Sequence, residues 1–283
     1  MFSEGSGVHM TESLVLRPFG RGSSGRGCSF YVSASLCPRK AMLDADEERV
    51  HGPETARLDI GTIFHDLADL YHSGNRAEVL QYEDAPPEEA FAEAQRLFSW
   101  YTANFPVDAW GDVLGTEVQL PRNESEKALL LDYFGVEFTL RPDLVTRVGP
   151  QHIEKIRKRT GLDLRPGVYI VDHKTKGRKD PDMHLSYPNS PQFQTYPLAW
   201  DLLNPELPCE GIIANVLVTH KKLELGQSNC AIFSPRLAEN RRQGLIDWLQ
   251  NADVLAKTGM ANRSACFIRS TCPHLHSGRC HQE

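Results

Sequence analysis

The sequence predicts an α/β fold, a mixed sheet with helices packed against it. Three observations carry that reading. Apolar spacing is helical over residues 56–71 and 87–103, changes to a period of two from Val113, and turns helical again over 235–257. A strand–helix–strand unit lies in the second half, over residues 168–171, 190–203 and 211–219. No linker or internal repeat divides the chain, so one core is expected.

Residues 1–28 are rich in Gly, Ser and Arg (FGRGSSGRG) and read as a disordered tail, with one domain over 29–283. In SASLCPRKAML, serines able to cap precede a helical stretch that ends before DADEE. The next segment, ARLDIGTIFHDLADLY, is amphipathic. Leu58, Ile63, Leu67 and Leu70 share a face, and His65 lies four positions after Gly61. Residues 87–103 open with Pro and Glu, as helix starts favour. Residues 113–120 and 133–140 read as strands, with 144–148 a continuation or a third. Residues 168–171 form a short buried strand. Ser190 and Pro191 stand at N-cap and first helical positions of the helix through Leu203. GIIANVLVT is an apolar strand, and residues 235–257 close the core as a long helix.

Of the 283 residues 24% are charged and 40% hydrophobic, ordinary for a soluble globular protein. No apolar run is long enough to span a bilayer, and the first residues lack the basic and apolar regions of a secretory signal. A cytoplasmic location is expected. The net charge is -6, yet residues 151–179 hold nine Lys and Arg against three acids, a local +6 that suits an anionic partner. Seven cysteines without a secretion signal do not suggest a disulfide framework. Cys266, Cys272 and Cys280 crowd the end of the chain, in region 260–283, as metal ligands do.

The strand VYIVDHKTK runs from four β-formers straight into Asp172, His173 and Lys174. At a period of two, Asp172 and Lys174 share a face while His173 points away. Asp143, after Pro142 in TLRPDLV, sits between two β-like segments. If the strands pair, two carboxylates and an ammonium converge at one sheet end. Paired carboxylates suit a hard divalent cation, Mg²⁺ or Mn²⁺, which polarises a phosphoryl oxygen and acidifies a water. A lysine beside them suits a phosphate.

GTIFH, RPDLV, VDHKTK and QFQTY stand in this order over residues 61–196. In that, the chain resembles the RecB-like branch of the PD-(D/E)XK nucleases, including its phage-encoded and CRISPR-associated exonucleases. The resemblance implies a restriction-endonuclease-like fold and a metal-dependent deoxyribonuclease, an exonuclease that hydrolyses phosphodiester bonds at DNA ends or in single strands, in recombination, repair or phage replication. A helicase or recombination protein is the implied partner. By the same resemblance His65, Asp143, Asp172 and the backbone carbonyl of His173 ligate Mg²⁺ or Mn²⁺. Lys174 positions or activates the attacking water, and Gln192 and Tyr196 orient the motif and contact the DNA backbone. Glu117 is either a further acid of the site or an ordinary exposed strand residue. Trp200, Tyr187 and Trp110 are core aromatics or base-stacking surfaces.

Three thiolates need a fourth ligand for a Cys₄ site, and Cys37 is the natural candidate. One N-terminal and three C-terminal cysteines resemble the iron–sulfur nucleases of this branch, which implies a structural [4Fe–4S] cluster on Cys37, Cys266, Cys272 and Cys280. The spacing lacks a CxxC pair, so zinc is the alternative, with His274 or His276 as substitute ligands. A non-catalytic DNA-binding or scaffolding protein built on such a site is the competing class. The intact Asp143, Asp172 and Lys174 set argues against it.

Overall fold

The strand that begins at Gly167 does not stop at the acid. It runs Gly167–Lys176 (β5) and is buried from Val168 through His173, which makes it a central strand. The structure, a computed structural model, describes residues 14–17, 26–46, 56–74, 79–82, 86–177, 179–219, 227–260 and 262. Leu144–Val148 (β4) pairs antiparallel along one side of β5, and Cys209–Thr219 (β6) pairs parallel along the other. Asp112–Thr116 (β3) extends the sheet antiparallel beyond β4, and Gln227–Pro235 (β7) does so beyond β6. The sheet order is thus β3-β4-β5-β6-β7.

Alternation along β5 divides two apolar layers. Val168 and Ile170 face a layer holding Tyr31, Phe193, Trp200 and Leu249. These come from Cys28–Leu36 (α1), Pro191–Leu203 (α8) and Glu239–Thr258 (α9). Tyr169 and Val171 face Phe64, Leu97, Tyr101 and Phe105. Phe64 belongs to Ala56–His72 (α3), Leu97 and Tyr101 to Glu88–Asn104 (α4). The expected α/β class, a mixed sheet between helices, is what forms.

Several elements differ from the expectation. Residues 133–140 are not a strand. Glu124–Phe134 is a helix (α5), capped by the Asn123 side chain, which accepts from Glu126 N at 3.0 Å, and closed by Gly135 at φ 70°. The alternation is real, since Phe134, Val136, Phe138 and Leu140 are all buried, but the extended part pairs only through a single bridge, Leu120 to Leu140. The strand expected over 113–120 stops at Thr116, because Glu117 turns the chain at φ 44°. Residues 150–160, part of the basic window, form a helix, Pro150–Thr160 (α6), closed by Gly161 at φ 76°. The expected disordered tail holds a strand, Leu14–Arg17 (β1), parallel to Val79–Tyr82 (β2), and α1 already begins at buried Cys28. Pro38–Asp46 (α2) follows α1, and Met183–Ser186 (α7) precedes α8.

Candidate active site

The register makes a fork. β4 pairs with β5 only as far as Leu144 opposite Val171, while β5 continues to Lys176 with β6 beside it. Asp143 stands where β4 leaves. Its Oδ2 accepts from the backbone N–H of His173 at 2.6 Å. In a strand the N–H and C=O of one residue leave toward the same neighbour, so the His173 carbonyl also faces the fork.

His65 arrives from α3. A Cβ on Gly61 would lie 3.0 Å from Thr175 Oγ1, so a glycine there lets α3 rest close on the end of β5. One turn later on the same face, His65 Nδ1 lies 3.2 Å from Asp143 Oδ2. Glu117 comes from the end of β3. Its N–H bonds to Asp143 O at 2.9 Å, and Arg141 Nε holds its carboxylate at 2.8 Å. One ligand atom from each of His65, Glu117 and Asp143 lies within 4.8 Å of the other two.

The charges are strongly coupled. Burial opposes ionisation of Asp143, but the neighbouring His65 and Lys174 outweigh it and hold the carboxyl down at about 2. For His65 burial again opposes charge, and Asp143 overrides it and lifts the imidazole to about 9. Glu117 is pushed up to about 8, first by burial and then by the negative charge of Asp143. The two carboxylates at the fork repel each other, and a cation between them removes that penalty.

Asp172, on the facing layer, is buried. Its Oδ2 pairs with Lys174 Nζ at 2.7 Å, and its Oδ1 accepts from Gln192 Nε2 at 2.9 Å. Burial, opposed by Lys174, leaves its carboxyl raised to about 6. Gln192 also bonds the Tyr196 hydroxyl, one helical turn on. Lys174 is held protonated, because Asp172 and Asp143 outweigh its burial.

The sequence profile of the PD-(D/E)XK nuclease superfamily matches residues 30–274. The chain belongs to that superfamily. No curated protein matches the chain. Among solved structures, a protein of Eubacterium rectale provisionally described as an exonuclease is 13% identical over 85% of each chain, at a TM-score of 0.47.

In this PD-(D/E)XK chain the family's letters stand as Pro142–Asp143 and Asp172–His173–Lys174. The fork brings together His65, Asp143 and the backbone N–H of His173. Asp172 lies apart from the three-ligand group, tied to Lys174 and Gln192. Glu117, left open by the sequence, joins the group and is half-buried rather than an exposed strand residue. Arg141, which steers Glu117, was missed; its place two residues before Asp143 was the available signal. Tyr196 is 8% exposed with its hydroxyl on Gln192, so it offers little surface to a DNA backbone. Trp110 and Trp200 are core residues, each donating its indole N–H inward, to Tyr101 Oη and Leu207 O. Tyr187 is half-buried close to Lys174 and stacks on Phe193.

The basic window is split by the fold. α6 connects the far ends of β4 and β5, where Val148 pairs with Gly167. Three α6 charges are also spent locally, Lys155 on Asp108, Arg157 on Asp163 and Lys158 on Glu154, as is Arg165 on Glu210 beyond the helix; Arg159 donates to Ala109 O and lies over the Phe105 ring. Lys176 stays exposed at the fork end of β5, and Lys179, three residues on, is exposed and lines one cleft with Arg159 and Thr160 of α6. Cys37 is buried between α1 and α2. Cys266, Cys272 and Cys280 lie outside the described residues.

Proposed function

We propose that this nuclease hydrolyses DNA phosphodiesters with Mg²⁺ or Mn²⁺ at the fork, acting as an exonuclease. The observation that carries it is the meeting of His65, Glu117 and Asp143 beside the Asp172–Lys174 pair. Oxygen donors with one imidazole suit a hard divalent ion, and the crowded, partly protonated carboxylates fit one. Glu117, Asp143 and His65 would hold it, with Asp172 and the His173 carbonyl completing the set. When bound, such an ion supplies positive charge for the phosphoryl oxygens and lowers the pKa of a water.

The chain's own groups do the rest. Lys174 is an ammonium, so it donates to a water or phosphate oxygen and does not abstract a proton. Gln192 fixes the Asp172 carboxylate and so the position of Lys174. Arg141 fixes Glu117. Lys176 and Lys179 meet the phosphate chain.

Preference for DNA ends or single strands, and a role in recombination, repair or phage replication beside a helicase or recombination partner, rest on the resemblance of the four ordered motifs to RecB-like exonucleases. Incubation of end-labelled single- and double-stranded DNA with Mg²⁺ or Mn²⁺ tests the reading. Wild type is expected to shorten the DNA, and Asp172→Ala and Lys174→Ala to lose at least about a hundredfold in rate. Equal rates in all three proteins sink it.

We further propose a structural [4Fe–4S] cluster on Cys37, Cys266, Cys272 and Cys280. Its support is the approach of the C-terminal end of the described chain to both sides of Cys37. Arg39 N donates to Met260 O at 3.2 Å, and Asn262 Nδ2 to Leu36 O at 2.9 Å. Anaerobically purified protein is expected to be brown and to bleach in Cys272→Ser. Colourless protein holding stoichiometric zinc selects the alternative.

A further inference from the structure

One polar residue interrupts the buried run of β6. Ile212, Ile213, Ala214, Val216, Leu217 and Val218 are apolar, and Asn215 among them is 0% exposed. An unpaired amide at such a position costs roughly 1–3 kcal/mol, so its partners matter. Asn215 lies in register opposite His173. Its Nδ2 bonds His173 Nδ1 at 3.1 Å, and its Oδ1 accepts from Asn229 Nδ2 of β7 at 3.4 Å. The Asn229 donor fixes which way the Asn215 amide points. That in turn makes His173 Nδ1 an acceptor and leaves the ring proton on Nε2.

The ring so fixed is fully enclosed. It stacks on His72 at 6.2 Å and meets Tyr101 and Phe64 edge-on at 5.3 and 5.9 Å. Its Nε2 has no hydrogen-bond partner among the described residues, so Asn215 is the polar anchor of the side chain. The backbone of the same residue donates to Asp143 Oδ2, which also takes His65. One polar line therefore crosses three neighbouring strands, from Asn229 through Asn215 to His173, and ends on Asp143 beside β4.

We propose that Asn215 is a positioning residue of the nuclease centre. By anchoring the His173 ring, it sets the height at which the N–H and C=O of residue 173 meet Asp143 and the ion. The proposal rests on the nuclease reading above and names a β6 residue that touches neither ion nor substrate. Asn215→Leu keeps the volume and removes the anchor, freeing the β5 edge to shift against β4.

The test is Mn²⁺ binding to the full chain, followed by electron paramagnetic resonance, for wild type, Asn215→Leu, His173→Phe and the double variant, with thermal melting alongside. Asn215→Leu is expected to weaken Mn²⁺ about tenfold, as loss of an outer-shell partner does. If Asn215 acts through the His173 ring, the double variant is no weaker than the worse single one. Wild-type affinity in folded Asn215→Leu, or effects that simply add, overturns the proposal. Should Asn215→Leu not fold, half-buried Asn229→Ala replaces it, with a two- to threefold weakening expected and none overturning. Asp143→Ala reports on the parent reading separately: Mn²⁺ binding unchanged in that variant refutes the site itself, whatever Asn215 does.

Discussion

Glu117 occupies backbone space that a residue with a Cβ rarely holds, at φ 44°, which costs on the order of 1 kcal/mol. The turn carries its carboxylate out of β3 and into the group with His65 and Asp143. In the metal-free protein Glu117 and His65 both hold protons at neutral pH, since burial and the charge of Asp143 raise one to about 8 and Asp143, against burial, raises the other to about 9. An ion that binds there must displace them. Raising the pH strips those protons, so the sign is fixed: affinity rises with pH up to about 9 and then levels. Isothermal titration of Mn²⁺ in buffers of different ionisation enthalpy is expected to show one to two protons released per ion near pH 7. Each displaced proton contributes up to about a tenfold gain per pH unit. Glu117→Gln keeps the shape, lowers the proton count by about one and weakens binding by at least about tenfold. An affinity independent of pH contradicts this assignment of ligands.

At the scale of elements, the site depends on how closely α3 lies on β5. Gly61 is the contact, with Thr175 Oγ1 at 3.0 Å from the position of an added Cβ. An alanine in a helix interior is worth about 1 kcal/mol over glycine, and the tight contact opposes that gain. Gly61→Ala alone is therefore expected to be close to neutral in chemical denaturation. In a Thr175→Ala background, where the opposing oxygen is gone, the same change should stabilise by up to about 1 kcal/mol. Equal effects in both backgrounds would show that the contact does not limit the approach of α3. The elements that hold this site were also the legible ones. α3, β5 and α8 each declare themselves by period, cap or β-branched run. The stretch 133–140 was misleading because Phe134, Val136, Phe138 and Leu140 alternate into the core although the extended part forms a single bridge. A period of two reports burial on alternate sides and says nothing of a hydrogen-bonded neighbour. Glu117 stayed ambiguous for a related reason: a left-handed residue breaks the strand period without a glycine to announce it.

For the whole molecule, the distribution of charge matters more than its sum. The net charge of -6 predicts weak attraction to a polyanion, and the basic window offsets it in one stretch of the sequence. The fold divides that window between two ends of the sheet. On α6, Lys155, Arg157 and Lys158 pair with acids beside them, while Arg159 donates to Ala109 O. An anionic strand at the fork meets Lys174 and Lys176, and beyond them Lys179, which lines one cleft with Arg159 of α6. Fluorescence anisotropy with labelled single-stranded DNA, in Ca²⁺ to hold back cleavage, separates the two groups. Lys155→Glu with Lys158→Glu is expected to change the affinity less than about twofold, with the salt dependence unaltered. Lys176→Ala and Lys179→Ala should each weaken binding at low salt and reduce the slope of log K against log salt by about 0.7, the value for one phosphate on a single strand. A larger loss from the α6 pair than from Lys176 and Lys179 would move the path of the DNA to the opposite end of the sheet.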